Sequence, residues 1–432
     1  MSGAPIIRSS ISIILVRIVG AGLALLAQVV ASRIIGAEEF GRYSLMLVWL
    51  LLLGHGATAG TNPLLCRYIA QYLKSGDIPV IAGLLRWAIS VVLAAGMTLG
   101  VSAVLLIHAG MVAVSRELIL LATLAFSAIP LLVLQDFLES IARGIDRPAL
   151  GIVPAYLVRH LAIILGVGSA FLLGHQPGAV TVMSMTIIGL AISLAVQFVL
   201  LRRHLGGMLR AAAPVYRRRE WVRTALPLAL GEAAEVLLLN ADILILGMFV
   251  EPELVAYYFA ATRLAQVLTY IPYGMSAATA QRMAALAEAR ERGQLQTLIN
   301  HTTLVSGGLT LLTALVMAVL APNLLTLFGS EYAQAAPLVA ILAGGIAFAC
   351  LLGPGEDTLN MLGQERAGLA CMTAALAVNL ALSLFLVPRM GPAGAAWASA
   401  IALATRGLLA AGFAKRNLNL YLPLGASRLA GA

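Results

Sequence analysis

Long apolar runs, each closed by charged or turn-forming residues, recur along the whole chain, at 11–35, 43–62, 80–107, 117–138, 150–174, 178–201, 224–250, 254–276, 301–321, 335–355, 367–388 and 391–413. Each is long enough to carry a helix through the roughly 30 Å hydrocarbon core of a bilayer, which takes about 20 residues. None shows the strict alternation of barrel strands, so the runs predict helices. Across the 432 residues, 61% are hydrophobic and 11% charged, against about 25% charged in a soluble domain. A soluble fold cannot hide that much apolar surface, which excludes a soluble enzyme, a nucleic-acid-binding protein and a disordered chain. The expectation is an all-α polytopic membrane protein with about twelve transmembrane helices. The first run, from Ile11 to Ile35, is too long for a cleaved signal peptide and reads as the first span. Pro130, Pro154, Pro227, Pro272 and Pro354 lie inside spans and predict kinks.

Charge placement gives the orientation. With the N-terminus inside, 19 basic residues fall in inner loops or tails and 2, Arg116 and Arg389, in outer loops. Under the positive-inside rule both termini face the cytoplasm. Seven of the inner set lie between 202 and 223. Leu205, Met208, Leu209, Val215 and Trp221 are interspersed with those charges. The segment reads either as an amphipathic interfacial helix or as a solvated orientation signal. Cys66, Cys350 and Cys371 have neither metal-site nor disulfide-framework spacing. No Gly-Lys-Ser/Thr phosphate loop occurs, so nucleotide hydrolysis and cofactors are not expected.

The second half repeats the first. LESIARGIDRPALG, 138–151, aligns with DTLNMLGQERAGLA, 357–370, placing Gly144 on Gly363 and Arg147 on Arg366 at an offset of 219. FGRY, 40–43, falls on VAYY, 255–258, and Arg67 on Arg282, at 215. PGAV, 177–180, resembles PAGA, 392–395. Six spans per half is an even number, so the halves share one orientation, related by an axis along the membrane normal. The expected organisation is an N-terminal six-helix lobe at 1–201, a basic cytoplasmic linker at 202–223 and a C-terminal six-helix lobe at 224–432, the two parallel lobes enclosing a central cavity.

Several stretches resemble a known family. ASRIIGAEEFGRYSL, 31–45, is similar to the end of the first span and the start of the second in polysaccharide exporters. LPLALGEAAEVLLLNADILILGMFVEPELVAYYFAATRLAQ, 226–266, resembles their seventh and eighth spans, and Leu362, Gly363 and Arg366 fit the turn after the tenth. The family is that of Wzx-type oligosaccharide flippases, within the multidrug/oligosaccharidyl-lipid/polysaccharide exporter superfamily. The resemblance implies a bacterial inner-membrane flippase for undecaprenyl-pyrophosphate-linked oligosaccharide, working by alternating access. Its implied partners are the lipid-linked glycan, membrane lipids and other polysaccharide-assembly proteins, with no nucleic acid.

Charges within the spans single out candidate residues, because an ionised side chain at mid-bilayer costs about 2.5–3.5 kcal/mol on insertion scales. Glu232, Glu235 and Asp242 fall within an arc of about 80° on one helix. They read as cavity-lining or ion-coupling carboxylates, or as buried partners of Arg17, Arg263 or backbone. Arg17, Arg159 and Arg263 are candidate contacts for substrate phosphate, since the guanidinium fork matches phosphate oxygens. Arg17 alternatively snorkels or pairs with Glu232, and the other two alternatively pair helix to helix. Asp136 and Glu139, near the inner end of the fourth span, and Glu356 and Asp357, at that of the tenth, read as a cytoplasmic gate or as ordinary structural pairs. A cation-coupled multidrug antiporter of the same superfamily is the alternative function. A membrane polysaccharide polymerase or ligase is disfavoured, because the longest outer loop, 322–334, has Glu331 as its one charge.

Overall fold

The computed structural model describes residues 4–111, 115–209 and 213–423, with side chains from Val16 onward apart from 206–209 and Ala277. The side chains of Arg8, Met208 and Leu209, and the whole of Arg210 and Arg428, lie outside the described residues. Among those described, the secondary structure is helical and there is no strand.

The helices follow the apolar runs. α1 spans Ala4–Ala57 but breaks at Gly36, whose φ of 78° and ψ of 169° end one helix and begin the next. A left-handed φ of this kind favours glycine, which has no Cβ to clash. This break separates the first two expected spans. α2 covers Thr61–Ser75, α3 Ile78–His108, α4 Arg116–Ser127 and α5 Ile129–Gly144. α6, Ala149–Val153, runs through a π turn into α7, Arg159–Leu172, and α8 covers Ala179–Leu209. α9 spans Arg218–Phe249, α10 Pro252–Gln266, α11 Tyr270–Glu288 and α12 Arg292–Leu325. α13, Ala336–Leu351, α14, Gly355–Met361, α15, Glu365–Met390, and α16, Pro392–Phe413, complete the chain.

Among the described residues, nine helical stretches are long and apolar enough to cross a membrane, and the first of them, Val16–Ala57, contains the Gly36 break. The seventh and eighth expected spans fall on α9, which carries Glu232, Glu235 and Asp242, and on the pair α10 and α11, divided by a 3-10 turn at Val267–Thr269. Four of the five prolines sit where a helix is interrupted or starts: Pro130 opens α5, Pro154 opens the π turn, Pro272 follows the 3-10 turn, and Pro354 precedes α14. Pro227 is carried inside α9.

One of the two readings of the basic segment is excluded, and the register of the repeat is corrected. Residues 202–223 do not form one interfacial helix: α8 continues to Leu209, residues 213–217 are non-helical, and α9 starts at Arg218. The turn repeat also has a different register. Asp146 and Gly363 both take left-handed φ, 57° and 74°. The next amide in each bonds five residues back, Arg147 N to Ala142 O at 2.9 Å and Gln364 N to Leu359 O at 2.7 Å. Asp146, not Gly144, is therefore the counterpart of Gly363, an offset of 217. Gly174 and Gly391, both with positive φ, share that offset. Gly76 and Arg290 form a third matched turn, each followed by the same five-residue bond, Asp77 N to Tyr72 O and Glu291 N to Leu286 O.

The chain divides into two compact units, Met1–Val236 and Leu237–Ala432. The first half of α9 packs in the N-terminal unit: Trp221 is fully buried there and donates its indole N–H to the Tyr72 hydroxyl at 3.2 Å. In the C-terminal unit the chain end folds back on α12, with Gln296 and Tyr421 exchanging two hydrogen bonds of 2.7 and 2.9 Å. Met283, Leu295, Ile299, Ala414, Leu420 and Leu422 close a small core at that end.

Candidate functional site

The three acids of α9 enter three environments. Glu232 is half-buried in the N-terminal unit and accepts a hydrogen bond from the Thr58 hydroxyl at 3.2 Å. Glu235 is exposed. Asp242 belongs to the C-terminal unit and is 4% exposed. Its Oδ2 accepts from the Tyr258 hydroxyl at 2.5 Å and from the Ser399 hydroxyl at 2.7 Å, and its Oδ1 from the Ile243 N–H at 2.8 Å. Asn379, fully buried, donates to Ser399 at 3.2 Å, so a line of neutral donors on α10, α15 and α16 converges on one carboxylate. Helical spacing alone put the three acids on a common arc, and packing against different elements separated them.

The N-terminal unit holds a cluster of mixed sign. Arg159, where the π turn passes into α7, donates from Nη1 to Gln135 Oε1 at 3.2 Å. Gln135 donates in turn to Ser193 Oγ at 2.6 Å, and both are buried. Arg17 and Arg159 also lie within electrostatic reach of Glu139. His55 Nε2 stands 3.8 Å from Asp136 Oδ2, and its Nδ1 is 2.7 Å from the Leu51 carbonyl. Glu139 and Arg143 sit 3.7 Å apart, one helical turn along α5. Asp136, Glu139, Arg17 and Arg159 are thus brought into one region of this unit.

In the C-terminal unit Arg263 lies over the Phe259 ring, 4.3 Å from its centroid, and donates to Gln266 Oε1 at 2.8 Å. Stacking over the ring and the bond to Gln266 fix the plane of the guanidinium. Glu356 forms an ion pair with Arg406, and Asp357 accepts from the Ser276 hydroxyl. These two acids tie α14 to α16 and α11, whereas Asp136 and Glu139 face His55 and Arg143.

Sequence reasoning did not single out Gln135, Ser193, Tyr258 or Ser399. Tyr258 was visible only as the match of Tyr43, and its role depends on the distance-spanning fold that brings α10 beside Asp242. Single serines and glutamines in apolar runs carry little signal, because such residues also serve as ordinary helix contacts. The Glu38–Glu39–Arg42 run has a structural part. Arg42 pairs with Glu38, Glu39 and Glu117, each at 2.7 Å, while Glu39 accepts from the Ala179 N–H at the start of α8 at 2.8 Å.

Comparison with known proteins adds the family. Residues 6–280 match the model of the polysaccharide biosynthesis proteins, and residues 227–385 match the MatE model. No curated protein sequence matches the chain. Among solved structures, an inward-facing multidrug resistance MATE transporter of the MOP superfamily is similar at 15% identity and a TM-score of 0.78, covering 92% of this chain and 94% of its own. The lipid II flippase MurJ, in an inward closed conformation, is similar at 13% identity and a TM-score of 0.66, covering 95% and 88%. A MOP superfamily transporter from Pyrococcus furiosus, described as having a binding pocket of reversed polarity, gives 16% identity and a TM-score of 0.63 over 96% and 95%. These similarities show a shared fold. With 275 of its residues matching one family model, the chain is a multi-pass membrane protein that belongs to the polysaccharide biosynthesis protein family.

Proposed function

We propose that this protein is a flippase that carries an undecaprenyl-pyrophosphate-linked oligosaccharide across the bacterial inner membrane by alternating access, with both termini cytoplasmic. The observation that carries the reading is the family match over residues 6–280, joined to a fold shared with a lipid flippase. The charge chemistry supports it. A pyrophosphate leaving water must replace lost hydration with charge-assisted hydrogen bonds. Arg17, Arg159 and Arg263 are the groups suited to give them, and Asp242, with Glu232 and Glu235, is the acidic side of an ion-coupled cycle. Asp136, Glu139, Glu356 and Asp357 are the gate candidates.

The test is complementation of a strain lacking the gene, scored by surface glycan and by accumulation of lipid-linked oligosaccharide on the inner leaflet. Arg263→Lys keeps the charge and loses the fork, so it should export poorly but measurably, and Arg263→Ala should lose more at equal expression. Full export by Arg263→Ala removes it as an anion contact.

A second reading, a cation-coupled multidrug antiporter, is favoured by the MatE match over 227–385 and by the buried acid in that stretch. Drug resistance conferred on a sensitive strain, without any change in lipid-linked oligosaccharide, would select it.

A further inference from the structure

The strongest charge concentration in the molecule takes no part in the transport reading. Arg217, Arg218, Arg219 and Arg223 lie where the non-helical segment 213–217 enters α9. All four are exposed, and among the described residues none makes an ion pair. Four guanidinium groups within seven residues, with Glu220 as the one acid among them, leave a net charge of +3 that calls for a further anionic counterpart.

The segment is held in place from beneath. Val215 N donates to Pro79 O at 2.9 Å, and the Val215 carbonyl lies so close to Gly83 that a Cβ there would stand 2.0 Å from its oxygen. Trp221 is fully buried, with its ring 5.5 Å from that of Trp87. The Thr224 hydroxyl is 3.1 Å from that of Tyr68. Arg217 lies 5.6 Å over the Tyr72 ring and Arg218 5.0 Å over the Tyr216 ring. Two adjoining hollows of about 600 Å³ open between these side chains; one is lined by Arg218, Arg219, Val222 and Arg223, and the other shares those arginines and adds Tyr216, Arg217 and Thr224 together with one carboxylate, Glu220.

The surroundings indicate the source of the anion. Val215, Tyr216, Val222 and Leu226 are exposed, at 48%, 43%, 52% and 64%, beside the arginines. Exposed apolar groups interleaved with cations match the headgroup zone of a bilayer, where the ring and aliphatic carbons meet acyl chains and the guanidinium groups meet phosphate. α9 runs from this point. A phosphate in either hollow would meet several forks at once, on a base fixed before it arrives.

We propose that the entry to α9 is a binding site for the phosphate headgroups of anionic bilayer lipids, formed by Arg217, Arg218, Arg219 and Arg223 on a docked strap. The site anchors the first half of α9 at the membrane surface through the lipid.

Native mass spectrometry of the full-length protein, purified from mixed phosphatidylglycerol and phosphatidylethanolamine vesicles, tests this. The wild type should retain phosphatidylglycerol preferentially, with a preference that falls as salt rises. The triple variant Arg218→Gln, Arg219→Gln, Arg223→Gln should lose the preference, while Arg290→Gln with Arg292→Gln, a basic pair elsewhere, should keep it. If the triple variant fails to fold, Arg219→Gln and Arg223→Gln singly should each lower the preference about fivefold. A triple lysine variant should retain most of it, because Coulomb attraction survives the loss of the fork. Unchanged phosphatidylglycerol retention in the glutamine variants overturns the proposal. So does its abolition by millimolar inorganic phosphate, which would mean a site for free anions. Arginine-dependent capture of an acidic polypeptide without any lipid preference would also overturn it.

Discussion

The two units share a backbone plan and place their charges at different positions within it. Tyr43 and Tyr258 are counterparts at an offset of 215, and both hydroxyls are buried. Tyr43 meets the Thr186 hydroxyl at 3.0 Å, whereas Tyr258 meets a carboxylate. The counterpart of Asp242 in the first unit is Ala27, 5% exposed. Conversely, Arg159 has Leu376 as its counterpart at the 217 offset. Each unit therefore carries a charge where the other carries an aliphatic side chain. Duplication is retained in the turns, which depend on backbone geometry. It left the buried polar groups free to diverge, because each is satisfied locally by hydroxyls and amides of its own unit.

The comparison can be broken most directly at Asp242. Asp242→Ala leaves the Tyr258 and Ser399 hydroxyls without their carboxylate acceptor. At about 1–3 kcal/mol for each buried unsatisfied group, the loss should reach about 2 kcal/mol or more. Thermal unfolding in detergent should show a large drop in midpoint, and export should be abolished. Unchanged unfolding would mean that the carboxylate does not organise its unit.

Arg159→Leu copies the second unit's residue into the first and should have a smaller effect. Gln135 keeps its bond to Ser193 and loses one donor, a cost of about 1–3 kcal/mol. Combining it with Gln135→Leu should recover part of that loss, read as a positive coupling in a double-mutant cycle. Strict additivity would show that the two side chains act separately.

The smallest effect is expected at the Glu139–Arg143 pair. Arg143 is 39% exposed in its side chain and its nitrogen is 3.7 Å from the carboxylate, so a pair of this kind contributes about 0.5 kcal/mol or less. Arg143→Gln should leave unfolding nearly unchanged. An export defect in that variant at normal stability would sharpen the comparison, by assigning this end of α5 a part in gating rather than in folding.

The sequence by itself determined the class of fold, the positions of the helices and the presence of a repeat. Hydrophobic length is read directly against bilayer thickness, and the break at Gly36 falls between two apolar runs. It also nominated candidate charges, since an ionised group in an apolar run is costly enough to stand out without any knowledge of its neighbours. The tertiary structure decided where those charges go. Glu232, Glu235 and Asp242 share an arc of one helix, yet α9 passes from one unit to the other between Val236 and Leu237. An angular count along a helix axis holds no information about which elements pack against each turn. The partners of Asp242 stand 16 and 157 residues away in sequence, and Trp221, read as part of a basic linker, is the buried anchor of its strap. Such pairings are set by side-chain packing between distant segments, which no local pattern encodes.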